Sequence, residues 1–219
     1  MADFALPLEQ EHSSRIAERL NALRNLGVRR VVFATNPISY IEWDRDNRFQ
    51  ADFSVSSVVE GIDAEIIPSY WLDENIEAGV KQFAPKAYRD KYVLFVLRDL
   101  NSVRGLKGPL FEVRARGYEP VILHRTPQQF ANFKLSAFKY LTDLGCLFHL
   151  DLMVLIGVYG QRAKSRAEIL LKVGLIRLVT TGISDGIDVD QLITVHLSPN
   201  ALSGLQQALL HHNALLSEA

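Results

Sequence analysis

Cysteine is nearly absent from this 219-residue chain: Cys146 stands alone. One cysteine forms no internal disulfide, and no Cys/His spacing of the zinc-site type accompanies it. A reducing, cytoplasmic compartment is therefore expected. Long apolar runs are missing as well. The longest, Leu152 to Val158, falls far short of the roughly 20 residues that span a bilayer, so no membrane partner is expected. The amino terminus, Met1-Ala2-Asp3-Phe4, lacks the basic stretch and apolar core of a signal peptide. Net charge is scarce too. At −1, no global field draws the protein to nucleic acid or anionic lipid.

Several sequence signatures are lacking in the same way. There is no G-x-S-x-G elbow for a nucleophilic serine. Gly157-Val158-Tyr159-Gly160 resembles a glycine-rich turn before a helix, yet it has neither the third glycine of a dinucleotide site nor the GK[ST] of a P-loop. The acidic loop Asp185-Gly186-Ile187-Asp188-Val189-Asp190 does not meet the calcium-loop pattern. No cofactor and no metal site is expected from motifs.

What is present is a globular composition, 48% hydrophobic and 22% charged. This favours a packed core over disorder. Apolar runs at Val28 to Thr35, Tyr92 to Leu97, Pro120 to Leu123, Leu175 to Thr180 and Leu192 to Leu197 read as strands. Between them lie segments of helical periodicity. One runs from Pro7 to about Leu26, and one ends at Gly117. A third starts at Thr126-Pro127 and reaches Leu144, a fourth covers Arg162 to Val173, and a leucine-rich helix follows Ser198-Pro199. Leu147 to Ile156 fits a central strand or a buried helix. Strands alternating with helices predict an α/β fold, a mostly parallel sheet flanked by helices in Rossmann-like layering. Residues 38–71 depart from that rhythm. The turn-like Asp44-Arg45-Asp46-Asn47 and the break at Pro68 predict an antiparallel hairpin extension or insertion there. A single domain over residues 1–219 is the simplest organisation.

In open parallel sheets, ligands collect where strands end and helix N-termini point inward. That rule nominates Arg98, His124, Arg125 and Thr126 as anion-binding candidates. Thr35, Thr180 and Ser198 are further polar strand-end positions. Asp99, Asp151 and Asp185 are carboxylates near strand ends that could gather a divalent ion. His149 lies two residues before Asp151, on the same face of a strand, and could act as an oriented base. Satisfied turn and capping residues explain the same positions without function.

Charge is unevenly spread. Residues 42–77 carry ten acidic side chains against two basic, and residues 98–139 carry eight basic against three acidic. With no catalytic signature, the reading ranked first is a non-catalytic interaction or regulatory module in a larger assembly. Trp43, Trp71, Phe138 and the final helix would supply contacts to a protein partner or a second copy. A metal-dependent phosphoesterase or nuclease-like enzyme ranks second. A nucleic-acid-binding accessory protein ranks third.

Overall fold

The structure is a computed structural model that describes residues 2–7, 13–25, 28–35, 37, 60–73, 76, 85–97, 103–123, 132, 134–180 and 196–217. The strands are β1 (Ala2–Pro7), β2 (Arg30–Ala34), β3 (Asp63–Ile67), β4 (Ser69–Leu72), β5 (Tyr92–Leu97), β6 (Glu119–Leu123), β7 (Leu147–Asp151) and β8 (Ile176–Thr180). The helices are α1 (Ser13–Asn25), α2 (Lys107–Ala115), α3 (Leu135–Asp143), α4 (Met153–Ile156), α5 (Gln161–Lys172) and α6 (Pro199–Ser217), with a 3-10 turn at Val103–Leu106 before α2.

All six pairings between the described strands are parallel, so the expected helix-flanked parallel sheet is borne out. They form a three-stranded sheet, β1-β2-β3, and a five-stranded sheet, β4-β5-β6-β7-β8. Pro68 joins the two. It has no N–H to give a ladder, so one run of chain pairs with β2 before it and with β5 after it. Thr35 and Ser69 stitch this break: Ser69 N–H donates to Thr35 Oγ1 at 3.2 Å, and Ser69 Oγ donates to Thr35 O at 2.7 Å. At the other margin β8 lies beside β1, which brings the two sheets round into a ring.

The antiparallel hairpin expected over 38–71 is therefore corrected in its described part. Asp63 to Leu72 enters both sheets as parallel strand; residues 38–59 lie outside the described residues. The opening is also corrected. Residues 2–7 form a strand, and the first helix starts at Ser13 rather than Pro7.

Side-chain alternation divides the core into two layers. On β5, Val93, Phe95 and Leu97 face the helices, while Tyr92, Leu94 and Val96 face inward. All six are buried, which explains a run without polar interruptions. The inner layer combines Val32, Ile67, Trp71, Val121, Leu147 and Leu178 from six strands. Leu215 of α6 joins the same cluster, with its carbonyl accepting from Arg89 Nη1 at 3.0 Å.

Two aromatic expectations change. Phe138, expected at an interaction surface, is fully buried, its ring 4.7 Å from that of Phe148. Trp71 packs against the inner layer. The helix expected from Thr126 does not run unbroken, since Lys134 is extended (φ −72, ψ 139) and α3 starts only at Leu135. Leu147 to Ile156 is both things in turn: β7, then the short α4. Among the described residues no helix is long and apolar enough to cross a membrane.

Candidate functional site

The carboxyl ends of a ring of parallel strands converge on one mouth, where loops leave the backbone of the sheet exposed to a ligand. Among the described residues β7 brings two polar side chains there. Phe148 and Leu150 face the helices, so His149 and Asp151 take the opposite, inner side. In the ladder His149 pairs with Leu178 and Asp151 with Thr180. The register slips between Phe148 and His149, so that Arg177 of β8 is passed over. Such a bulge re-aims side chains at a strand end. It turns Thr180 to the same side as Asp151. Thr180 is buried, His149 is 5% exposed, and Asp151 is half-buried.

Asp151 is held on both oxygens. Oδ1 accepts from the Met153 N–H at 2.8 Å, and Oδ2 accepts from the Tyr159 hydroxyl at 2.9 Å. The first bond starts α4 with an Asx-type turn. The second fixes the loop between α4 and α5. That loop turns on Gly157 and Gly160, both at positive φ (87° and 88°), a region where a Cβ is disfavoured. Leu152 N–H donates to Thr180 O at 2.9 Å and ties the turn to β8. Asp73 follows β4 at the same edge and is half-buried.

Of the residues nominated from sequence, His149 and Asp151 share one strand face at the mouth. Arg98, Asp99, His124, Arg125, Thr126 and Asp185 lie outside the described residues. β5 and β6 end at Leu97 and Leu123, within three residues before the first five of these, and β8 ends at Thr180, five residues before Asp185. Tyr159 was missed as a functional residue. Its only sequence signal is its place between two glycines, eight residues after Asp151, and that spacing has meaning only once α4 intervenes.

Cys146 precedes β7 and so sits at the opposite, amino end of the strand. It is buried, and burial pushes its thiol pKa up to about 12, with Arg114 pulling weakly the other way. A thiol that keeps its proton is no nucleophile at neutral pH. A cysteine-based hydrolytic route is closed, because the chain holds no second cysteine.

A parallel α/β ring with a polar carboxyl mouth defines the class: a scaffold whose ligands bind at the strand ends. The sequence model of the family described as capsular polysaccharide synthesis, CpsB/CapC, matches residues 66–186, from the end of β3 to just beyond β8. The chain belongs to this family. It is also similar to a chain from the crystal structures of YwqE from Bacillus subtilis and CpsB from Streptococcus pneumoniae, described as unique metal-dependent tyrosine phosphatases. That likeness covers 97% of this chain and 94% of the other at 14% identity, with a TM-score of 0.69. No curated protein matches the sequence.

These findings overturn the expectation of a non-catalytic interaction or regulatory module. That reading rested on the absence of a recognisable catalytic motif. In a fold whose site is assembled from separate strand ends, no such motif needs to exist. Metal dependence is a separate question. Among the described residues no group of three or more His, Cys, Asp or Glu side chains is placed to hold a metal ion. His149, Asp151 and Asp73 do not by themselves fit one.

Proposed function

We propose that the protein is a phosphomonoester hydrolase acting on phosphorylated tyrosine side chains, with its substrate at the carboxyl mouth, in capsular polysaccharide synthesis. The observation that carries this reading is the family match over residues 66–186, which takes in every strand end from β4 to β8. The full-length likeness to tyrosine phosphatases supports the substrate class.

The chain's own contribution is positioning. Asp151 holds the Tyr159 hydroxyl and the start of α4 in one arrangement, so the wall of the mouth beside β7 and β8 is set before a substrate arrives. Preorganisation of this kind lowers the cost of binding and orientation. The apolar inner layer beneath the mouth excludes water from below. The buried thiol of Cys146 takes no part.

Phosphate release from a phosphotyrosyl peptide and from its phosphoserine counterpart tests the reading. The assay is run with Mn²⁺, with Mg²⁺ and with a chelator. Faster release from the phosphotyrosyl peptide is the expected result. No release from either peptide under any of the three conditions overturns the proposal.

A further inference from the structure

We infer that the groove between α2 and the end of α3 docks an acidic protein segment, one that carries an apolar side chain between two carboxylates. The groove lies on the helix side of the ring, apart from the mouth, and the inference stands without the phosphatase reading. Its starting point is Phe111, which is 72% exposed. Leu110 and Val113 of the same helix are fully buried, so α2 is firmly seated and Phe111 is held on its outer face. Large exposed apolar groups rimmed by polar ones mark interaction sites. The ring lines a groove of about 630 Å³ together with Lys107 and Arg114 of α2 and Asp143 and Leu144 at the end of α3. Ligand pockets commonly have this volume.

Charge says what fits there. Arg104, Lys107, Phe111 and Arg114 recur at steps of three and four residues and are all exposed, so one face bears three cations around a ring. Glu112, the acidic residue of α2, is engaged by Arg116 at 3.1 Å. Among the described lining residues Asp143 is the single carboxylate against two cations. Arg114 is also seated. Gly145 stands at φ 88°, and a Cβ on it would lie 2.6 Å from Arg114 Cζ and 2.7 Å from Nε and Nη1. The missing Cβ leaves room for the guanidinium against that backbone.

Spacing favours a peptide over a small anion. Lys107 and Arg114 are seven positions apart, about 10 Å along the helix axis, with Phe111 between them. Inorganic phosphate reaches one of these cations. An extended chain advances about 3.3 Å per residue, so carboxylates three residues apart meet both. The side chain between them then covers the Phe111 ring, and Asp143 on the other wall suits a backbone N–H of the bound segment.

The test uses the full chain and a fluorescein-labelled peptide containing Glu-Ala-Phe-Glu, read by fluorescence anisotropy. Two control peptides replace both glutamates by glutamine, or the phenylalanine by alanine. Saturable binding of the first peptide that weakens as NaCl is raised is expected, with both controls weaker. Phe111→Ala weakens binding about tenfold, and Lys107→Ala or Arg114→Ala about two- to fivefold each. All three side chains are exposed, so unchanged thermal melting shows that the variants remain folded. No saturable binding up to about 1 mM peptide overturns the inference. So does equal binding of the glutamine peptide, or binding that survives Phe111→Ala and Arg114→Ala. Sedimentation showing a dimer that Phe111→Ala dissolves also overturns it, because a second copy would then fill the groove.

Discussion

Replacing Gly204 by alanine sets two ordinary rules against each other, and the structure decides between them. Gly204 lies in α6 where that helix crosses the end of α5. A Cβ built there would stand 2.0 Å from the Leu171 carbonyl oxygen, 2.6 Å from its carbon and 3.2 Å from its Cα. All three atoms are backbone. The carbonyl also accepts the Gly174 N–H at 3.0 Å, so it cannot swing aside without breaking the turn that ends α5. A carbon–oxygen contact settles near 3.3 Å, so the helices must separate by roughly 1.3 Å. Overpacking of this kind costs about 1–3 kcal/mol, with a backbone obstacle at or above the upper end. Alanine regains roughly 1 kcal/mol of helix propensity. The net loss is about 2 kcal/mol or more. For a chain of this size it lowers Tm by about 4–8 °C. Thermal melting by circular dichroism measures it, with urea unfolding to confirm an unchanged m-value. Gly105→Ala is the control, since nothing lies within 4 Å of its added Cβ. An unchanged or raised Tm in Gly204→Ala refutes the close approach of α5 and α6, because propensity alone would then have won.

Tyr159→Phe removes the donor to Asp151 Oδ2, and about 1–2 kcal/mol of stability goes with it. In phosphotyrosyl-peptide assays kcat/KM falls; an unchanged value shows that the α4–α5 loop does not position the site. Leu215→Ala opens the inner layer where α6 meets it and costs about 2–4 kcal/mol in urea unfolding. A cost below about 0.5 kcal/mol would mean that Leu215 is not packed there. Cys146 sets a pH dependence. The folded thiol keeps its proton to about 12, against 9.0 for an ordinary thiol. Above pH 9 the unfolded chain therefore binds fewer protons than the folded one, and stability falls as pH rises from about 9 toward 12. Urea midpoints across that range fall less steeply in Cys146→Ala, while its phosphate release stays at the wild-type level. Equal slopes in the two proteins refute the burial argument.

What was legible in the sequence was local. Gly117 and Gly145 both stand at positive φ, and each follows a helix that periodicity had predicted to stop there. Tyr92 to Leu97, Pro120 to Leu123 and Leu175 to Thr180 were readable as strands because burial on both faces leaves uninterrupted apolar runs. The strand at residues 2–7 was not, because its partner β2 is supplied from more than twenty residues away. By sequence Pro68 suggests an edge strand or a strand end. In the structure it is the point where one run passes from the first sheet to the second, a role set by β2 and β5 rather than by the proline's neighbours.

The same division holds for function. Composition and spacing by themselves determined an α/β chain of alternating elements, without a bilayer-spanning run and with one cysteine. These properties depend on residues close in sequence, and backbone sterics or burial act on them directly. Only the tertiary structure decided that Asp151 is tied to Tyr159, that Thr180 turns to the same side, that Phe138 is core, and that Cys146 lies at the wrong end of β7 for chemistry. Each of these depends on which strands lie side by side and in what register. Pairing between distant segments is settled by the whole core at once, and no window of sequence contains it.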